Sequence, residues 1–274
     1  MRKPLVIFVA IALVLAGGVA FAYRGTLRAR LAELTKPELP PAQPYQPQPE
    51  PEPTVGEPAE PSEAPAPEPE PPAPTPAPEP APAPSKTGVN LAVPFTSQAP
   101  HANWDQLHEE ACEEAALIMV HAYLTGAGKF TPDEAERQIQ AMVKWSIERF
   151  GYYEDQTAEE IAIIAREYYG HKKSYAVAFD SMDDVKKEID AGRPVIIPSA
   201  GRMLHNPYFS GIGPLYHAIV VKGYTKDGTI ITNDAGTRHG ADYLYDPAVL
   251  FEAAHDWNGG DVAHGAKMMV VLKD

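Results

Sequence analysis

The chain has 274 residues, with 23 Lys plus Arg against 37 Asp plus Glu, a net charge of −14, 30 Pro and one Cys. A single cysteine excludes an internal disulfide and a Cys-rich zinc site, and an acidic balance leaves no electrostatic footprint for nucleic acid, so no nucleic-acid partner is expected.

At the N-terminus, Met1-Arg2-Lys3 precedes the run Pro4 to Ala22, whose 19 residues carry no charge. That length just suffices to span a bilayer as a helix, whereas Ala20-Phe21-Ala22 has the form of a signal-peptidase site. Residues 1–36 therefore read as a membrane anchor, or as a signal segment cut after Ala22. Either way the remainder is expected outside the cytoplasm, in the cell envelope.

Residues 37–84 hold 21 of the 30 prolines and nine glutamates, with no Lys or Arg. Missing amide donors, few apolar side chains and like charges predict an extended, disordered stalk that does not fold. Of the total charge of −14, this segment carries −9 and residues 1–36 carry +5, which leaves −10 for residues 85–274. Those 190 residues have the composition of one globular domain with a core of its own.

Ala111 to Leu124 reads as a helix stopped by Gly126, with Cys112 at its start. Thr131-Pro132-Asp133-Glu134 supplies a cap, a first-turn proline and acidic residues for a helix to Phe150, which Gly151 closes. Thr157 and Glu160 form a capping box for a helix reaching toward Gly170, and Ser181 to Ala191 gives another, stopped by Gly192. Short β-rich runs follow at Val195–Ile197, Leu215–Tyr224, Thr229–Asn233 and Met268–Leu272. Helices first and strands later predict an α+β fold. The turn Lys226-Asp227-Gly228 predicts an antiparallel hairpin. With Tyr224 opposite Thr229, Ile219 faces Asp234 and His217 becomes a diagonal neighbour of that carboxylate.

Three residues in this pattern point to nucleophilic catalysis. A thiol at a helix N-terminus feels the positive end of the dipole, which favours the thiolate. Glu113 and Glu114 oppose that effect unless they face solvent or a histidinium lies closer. His217 stands inside the apolar strand Leu215 to Val221, where an idle imidazole would be buried at a cost. Asp234 at the end of the partner strand can orient it. No HExxH and no Cys pair is present, so neither a metal nor a cofactor is called for. Trp104 could line a cleft or anchor the core, and Gly211-Ile212-Gly213 reads as a turn or cleft wall.

Four segments in this order resemble the papain-like peptidases related to the bacteriocin-processing, double-glycine-leader peptidases. They are Gln98 in Val93-Pro94-Phe95-Thr96-Ser97-Gln98, Cys112 in Glu110-Ala111-Cys112-Glu113-Glu114-Ala115-Ala116, His217 in Tyr216-His217-Ala218-Ile219-Val220-Val221, and Asp234 in Thr232-Asn233-Asp234-Ala235-Gly236-Thr237. The resemblance covers about residues 89–273. It implies a papain-like α+β fold with Cys112 as nucleophile, His217 as base and then acid, Asp234 as the orienting member and Gln98 as the oxyanion glutamine. Many relatives carry Gly-Pro directly after the cysteine, where this chain has Glu113-Glu114. With no transporter region after this segment, the hydrolase scaffold is expected to carry over and leader processing is not expected. The expected activity is a tethered cysteine peptidase acting on peptide or amide bonds. Its rivals are a hydrolase or amidase of cell-wall stem peptides and a catalytically inactive peptide binder.

Overall fold

The computed structural model describes residues 36–47 and 87–274. Residues 1–35 of the expected anchor or signal segment and residues 48–84 of the expected stalk lie outside these. Among the described residues no helix is long and apolar enough to cross a membrane.

The elements begin with β1 (Ala42–Gln43), β2 (Gly88–Leu91), α1 (Gln106–Glu109), α2 (Cys112–Thr125), α3 (Pro132–Phe150) and α4 (Ala158–Glu167). There follow β3 (Tyr175–Ala178), α5 (Met182–Asp190), β4 (Val195–Ala200), β5 (Tyr216–Thr225), β6 (Ile230–Asp234), β7 (Tyr243–Tyr245), α6 (Pro247–Ala253) and β8 (Met268–Val271). The helices start where local chemistry dictates. Thr131 and Thr157 accept from the amides of Glu134 and Glu160, whose carboxylates reach back to the two cap amides. Each box satisfies donors that the first turn leaves open. Gly126 and Gly151 close α2 and α3 in the left-handed region, at φ 67° and 90°.

α2 is the central helix. Leu117, Ile118 and Met119 are fully buried, and the helix packs between β5 and α3. A helix apolar on nearly every side belongs inside a domain. Burying one such leucine or isoleucine contributes about 1.5–3 kcal/mol.

The sheet runs β1-β2-β5-β4-β8-β3, with β6 and then β7 added along the other edge of β5. All pairs are antiparallel except β1 with β2. β5 is the hub and the longest strand, flanked by β4 over Tyr216–Val221 and by β2 over Gly223–Thr225. Gly223 permits the second contact, because a Cβ there would fall 2.3 Å from the Val89 carbonyl.

The hairpin register departs from the sequence expectation at one end only. Tyr224 pairs with Ile230 rather than Thr229, and a bulge between Val221 and Gly223 absorbs the extra residue, so Ile219 faces Asp234 as expected. The second departure concerns the Pro-rich segment, whose start does not stay extended in solvent. Ala42–Gln43 pairs with Asn90–Leu91, the Ala92 amide donates to the Gln43 carbonyl at 2.7 Å, and Asn90 donates to the Pro40 carbonyl at 3.1 Å. Tyr45 meets Tyr123 edge to face at 5.5 Å. Proline carbonyls still accept hydrogen bonds, so a Pro-flanked strand can occupy a sheet edge.

Candidate active site

Cys112 is the first residue of α2, after Ala111, which offers no side-chain cap. Its side chain is buried, and Sγ lies 3.0 Å from Glu113 Oε2 in hydrogen-bonding geometry. The backbone amide of Ala218, the residue after His217, also hydrogen-bonds the sulfur. Burial pushes the thiol well above its usual range; Glu113 adds to the rise, and the Ala218 amide opposes it. No hydrogen bond joins Cys112 to His217 among the described residues.

Neither Glu113 nor Glu114 faces solvent, at 1% and 0% exposure. Glu113 Oε1 accepts from the Gln156 amide at 3.2 Å, while both oxygens of Glu114 are buried without a partner. Desolvation raises Glu113 to about 8. Glu114 also rises, through burial and then the charge of Glu113. At neutral pH the Glu113 carboxyl is predominantly protonated.

His217 is fixed from several sides by the sheet and its loops. Nε2 contacts Asp234 Oδ1 at 2.7 Å, the edge-to-face ring of Phe209 lies 5.4 Å away, and a Cβ on Gly236 would come within 2.8 Å of Cε1. Glycine at 236 therefore lets the loop after β6 close onto the imidazole. Nδ1 carries no hydrogen bond, and the ring lines the cleft.

Asp234 is fully buried and fully partnered. Besides His217 it accepts from Tyr245 Oη at 2.7 Å, Asn206 Nδ2 at 2.8 Å and the Gly236 amide at 3.0 Å. Burial by itself would raise its pKa; the His217 charge, with the His217, Tyr245 and Asn206 hydrogen bonds, outweighs that and holds it below the usual carboxylate value. The result is a buried carboxylate held against the His217 ring.

Gln98 also lines the cleft, 3% exposed. Its Nε2 donates to the carbonyls of His108 and Glu109 at 2.8 and 3.0 Å, and Oε1 has no partner. His108 is itself anchored, with Nδ1 2.7 Å from Asp105 and Nε2 2.9 Å from Glu136. Those contacts fasten α1 to α3 and fix the carbonyl that orients Gln98.

Gln98 and His217 border a cleft of about 770 Å3, whereas Cys112 and Asp234 are not among its lining residues. Its lining also includes Glu109, Glu110, Asp155, Trp104, Tyr208, Phe209, Arg238 and His239. Trp104, left open between cleft and core by its sequence, lines the cleft at 44% exposure. Gly211 and Gly213, both at positive φ, form the expected turn, and Gly213 lies on the cleft. Among the described residues no group of three or more His, Cys, Asp or Glu is placed to hold a metal ion.

The family profile described as Peptidase_C39 like family matches residues 90–259. The chain belongs to that family. The chemistry that goes with membership is cysteine peptidase chemistry, and the architecture is the expected α+β one. No curated protein matches the chain. Among solved structures it is similar to a C39-like peptidase from Bacillus anthracis, at 16% identity over 68% of this chain and 98% of that one, with a TM-score of 0.45. It is also similar to the active wild-type interpain A cysteine protease of Prevotella intermedia, at 18% identity over 55% and 61% of the two chains, with a TM-score of 0.32.

The structure brings His217 and Asp234 together, sets Cys112 beside the next residue of the same strand, and leaves Gln98 at the cleft with its amide turned toward α1. Sequence reasoning missed Asn206, Phe209, Tyr245 and Gly236, which immobilise the His217–Asp234 pair. It also missed the burial of Glu113. The adjacent glycine in Asp234-Ala235-Gly236 was the one available signal.

Proposed function

We propose that this family member hydrolyses peptide or amide bonds through Cys112, His217 and Asp234. The observation that carries the reading is the His217–Asp234 contact of 2.7 Å inside the strand whose next amide touches the Cys112 sulfur. Asp234 holds Nε2, so Nδ1 is the nitrogen left to act as base. It takes the thiol proton, and the sulfur attacks the substrate carbonyl. The oxyanion is met by the Cys112 backbone amide and by Gln98, once one of its N–H groups turns from the Glu109 carbonyl. The imidazolium then protonates the departing amine, and a water activated by the same ring releases the acyl group and restores the thiol.

The substrate reaches the chain outside the cytoplasm in this reading. The uncharged run Pro4–Ala22 supports an anchor or a secretion signal. Peptides of the cell envelope are the proposed substrates.

The test is labelling of the full chain by a thiol-directed electrophile across pH 5 to 9, with Cys112→Ala and His217→Ala alongside. Rapid labelling in wild type, lost in the first variant and slowed in the second, is expected. Labelling that follows an ordinary thiol titration near about pH 8.5 in both wild type and His217→Ala would refute the triad. Parallel digestion of unfolded protein and of cell-wall fragments separates the two substrate sources.

A further inference from the structure

The cleft carries more negative charge than the chain neutralises. Glu109 at the end of α1, Glu110 after it and Asp155 before α4 all line it, and Arg238 is its one Lys or Arg side chain. Arg238 is turned to its neighbour, with Nε 3.4 Å from His239 Nε2. The charges that act on Glu110 are those of Asp155, Glu154 and Glu109, and the charge that acts on Asp155 is that of Glu154. Among the described residues no cation and no hydrogen-bond donor pairs with the side chain of either. Like charges on an open surface spread into water, whereas a cleft focuses their field on whatever enters it.

Two further groups at the same cleft suit a cation. Trp104 is 44% exposed there, and the face of an indole attracts an ammonium group. Gln98 is 3% exposed, donates through Nε2 to the His108 and Glu109 carbonyls, and leaves Oε1 without a donor. That oxygen is distinct from the N–H groups assigned to the oxyanion. A primary ammonium has three N–H donors to divide between it and the carboxylates.

We infer that the cleft selects its substrate by a positive charge, with Glu110 and Asp155, Trp104 and Gln98 Oε1 forming a subsite for a primary ammonium group. The inference rests on the proposed peptidase reading of the cleft and names its substrate class: peptides with a lysine-like side chain or a free amine near the bond attacked. His217 lines the same cleft, so the subsite and the proposed base open onto one space. Glu110 and Asp155 determine specificity and take no part in the proton transfers. Both carboxyls stand above their ordinary values, first through desolvation and then through their acidic neighbours, and a bound cation relieves both effects.

The experiment uses the full chain carrying Cys112→Ala, which cannot turn substrate over, and three capped alanine pentapeptides whose central residue is lysine, norleucine or glutamate. Calorimetry at neutral pH and low salt measures their binding. The lysine peptide is expected to bind at least about tenfold more tightly than the norleucine peptide, and the glutamate peptide most weakly. Glu110→Gln together with Asp155→Asn should abolish that preference and leave norleucine binding unchanged. Should the double variant not fold, added salt applied to the chain without it should shrink the lysine preference and spare norleucine binding. Equal binding of the three peptides, no binding of the lysine peptide, or a preference that survives both the double variant and salt overturns the inference. With Cys112 in place the chain should cleave the peptides in the same order. Cleavage of all three at one rate overturns the inference and leaves the peptidase reading standing, whereas selective binding with neither cleavage nor acylation of Cys112 marks the failure of that reading and leaves the subsite. Lysine-rich unfolded protein and cell-wall fragments, digested in parallel, distinguish the two sources of such an amine.

Discussion

Replacing Glu113 by glutamine should flatten the pH dependence of stability. The carboxyl ionises at 4.5 in an ordinary setting and at about 8 in the folded chain, chiefly because burial desolvates it. Between those values the unfolded chain has released this proton and the folded chain still holds it. Stability therefore falls as pH rises, by about 1.4 kcal/mol per pH unit at full effect. His121 acts in the opposite direction below its ordinary value, since desolvation, with repulsion from His171, lowers it from 6.5 to about 4. Its contribution ends near pH 6.5, so pH 6.5 to 8 isolates the acidic pair. Glutamine keeps the oxygen that accepts from Gln156 and has no proton to lose. In this window the wild-type slope should exceed the Glu113→Gln slope by roughly 1 kcal/mol per unit, with the variant the more stable protein at pH 7. Urea unfolding at half-unit intervals of pH measures both slopes. Parallel lines for the two proteins would refute the buried, protonated carboxyl.

Gly236→Ala should slow Cys112 labelling and peptidase turnover at least about tenfold, because its Cβ would sit 2.8 Å from His217 Cε1 and displace the ring; an unchanged rate argues against a fixed imidazole. Tyr245→Phe removes a 2.7 Å donor to buried Asp234; unfolding should show a loss of about 1–3 kcal/mol, with a weaker His217 effect on labelling. Tyr45→Ala removes the edge-to-face contact with Tyr123 and should cost about 1 kcal/mol or more while hydrogen exchange quickens at Asn90 to Ala92. No change in either would mean that residues 36–47 do not dock in solution.

Local signals carried much of the fold. The Thr131 and Thr157 boxes, Gly126, Gly151 and the Lys226-Asp227-Gly228 turn are short-range chemistry, and each element they predict forms within a few residues of its expected ends. Elements made by tertiary contact were not legible. β2 is buried at all four positions, so its sequence shows no alternation, and β1 exists because β2 offers an edge. Asp246-Pro247, a cap followed by a first-turn proline, did signal α6 and was left unread, as was the Asp105 cap of α1.

For the site, His217 and Asp234 were legible because an imidazole in an apolar strand and a carboxylate on the paired strand share a register. The bulge at Val221 to Gly223 shows how the right partner emerged although the turn end shifts by one residue. Asn206 and Tyr245 reach Asp234 from 28 and 11 residues away, a separation that no local pattern encodes. Glu113 and Glu114 were expected to need solvent or a histidinium. Instead both are buried, and burial raises both carboxyls, Glu113 to about 8.

The central claim is that Cys112 forms an acyl-enzyme with the help of His217. Mixing the full chain with an activated peptide ester, quenching in acid and mapping the adduct by mass spectrometry tests it most directly. An acyl group on the peptide containing Cys112 in wild type, strongly reduced in His217→Ala and absent in Cys112→Ala, is the predicted result. An adduct on another residue, or one that forms equally fast without His217, would contradict the account.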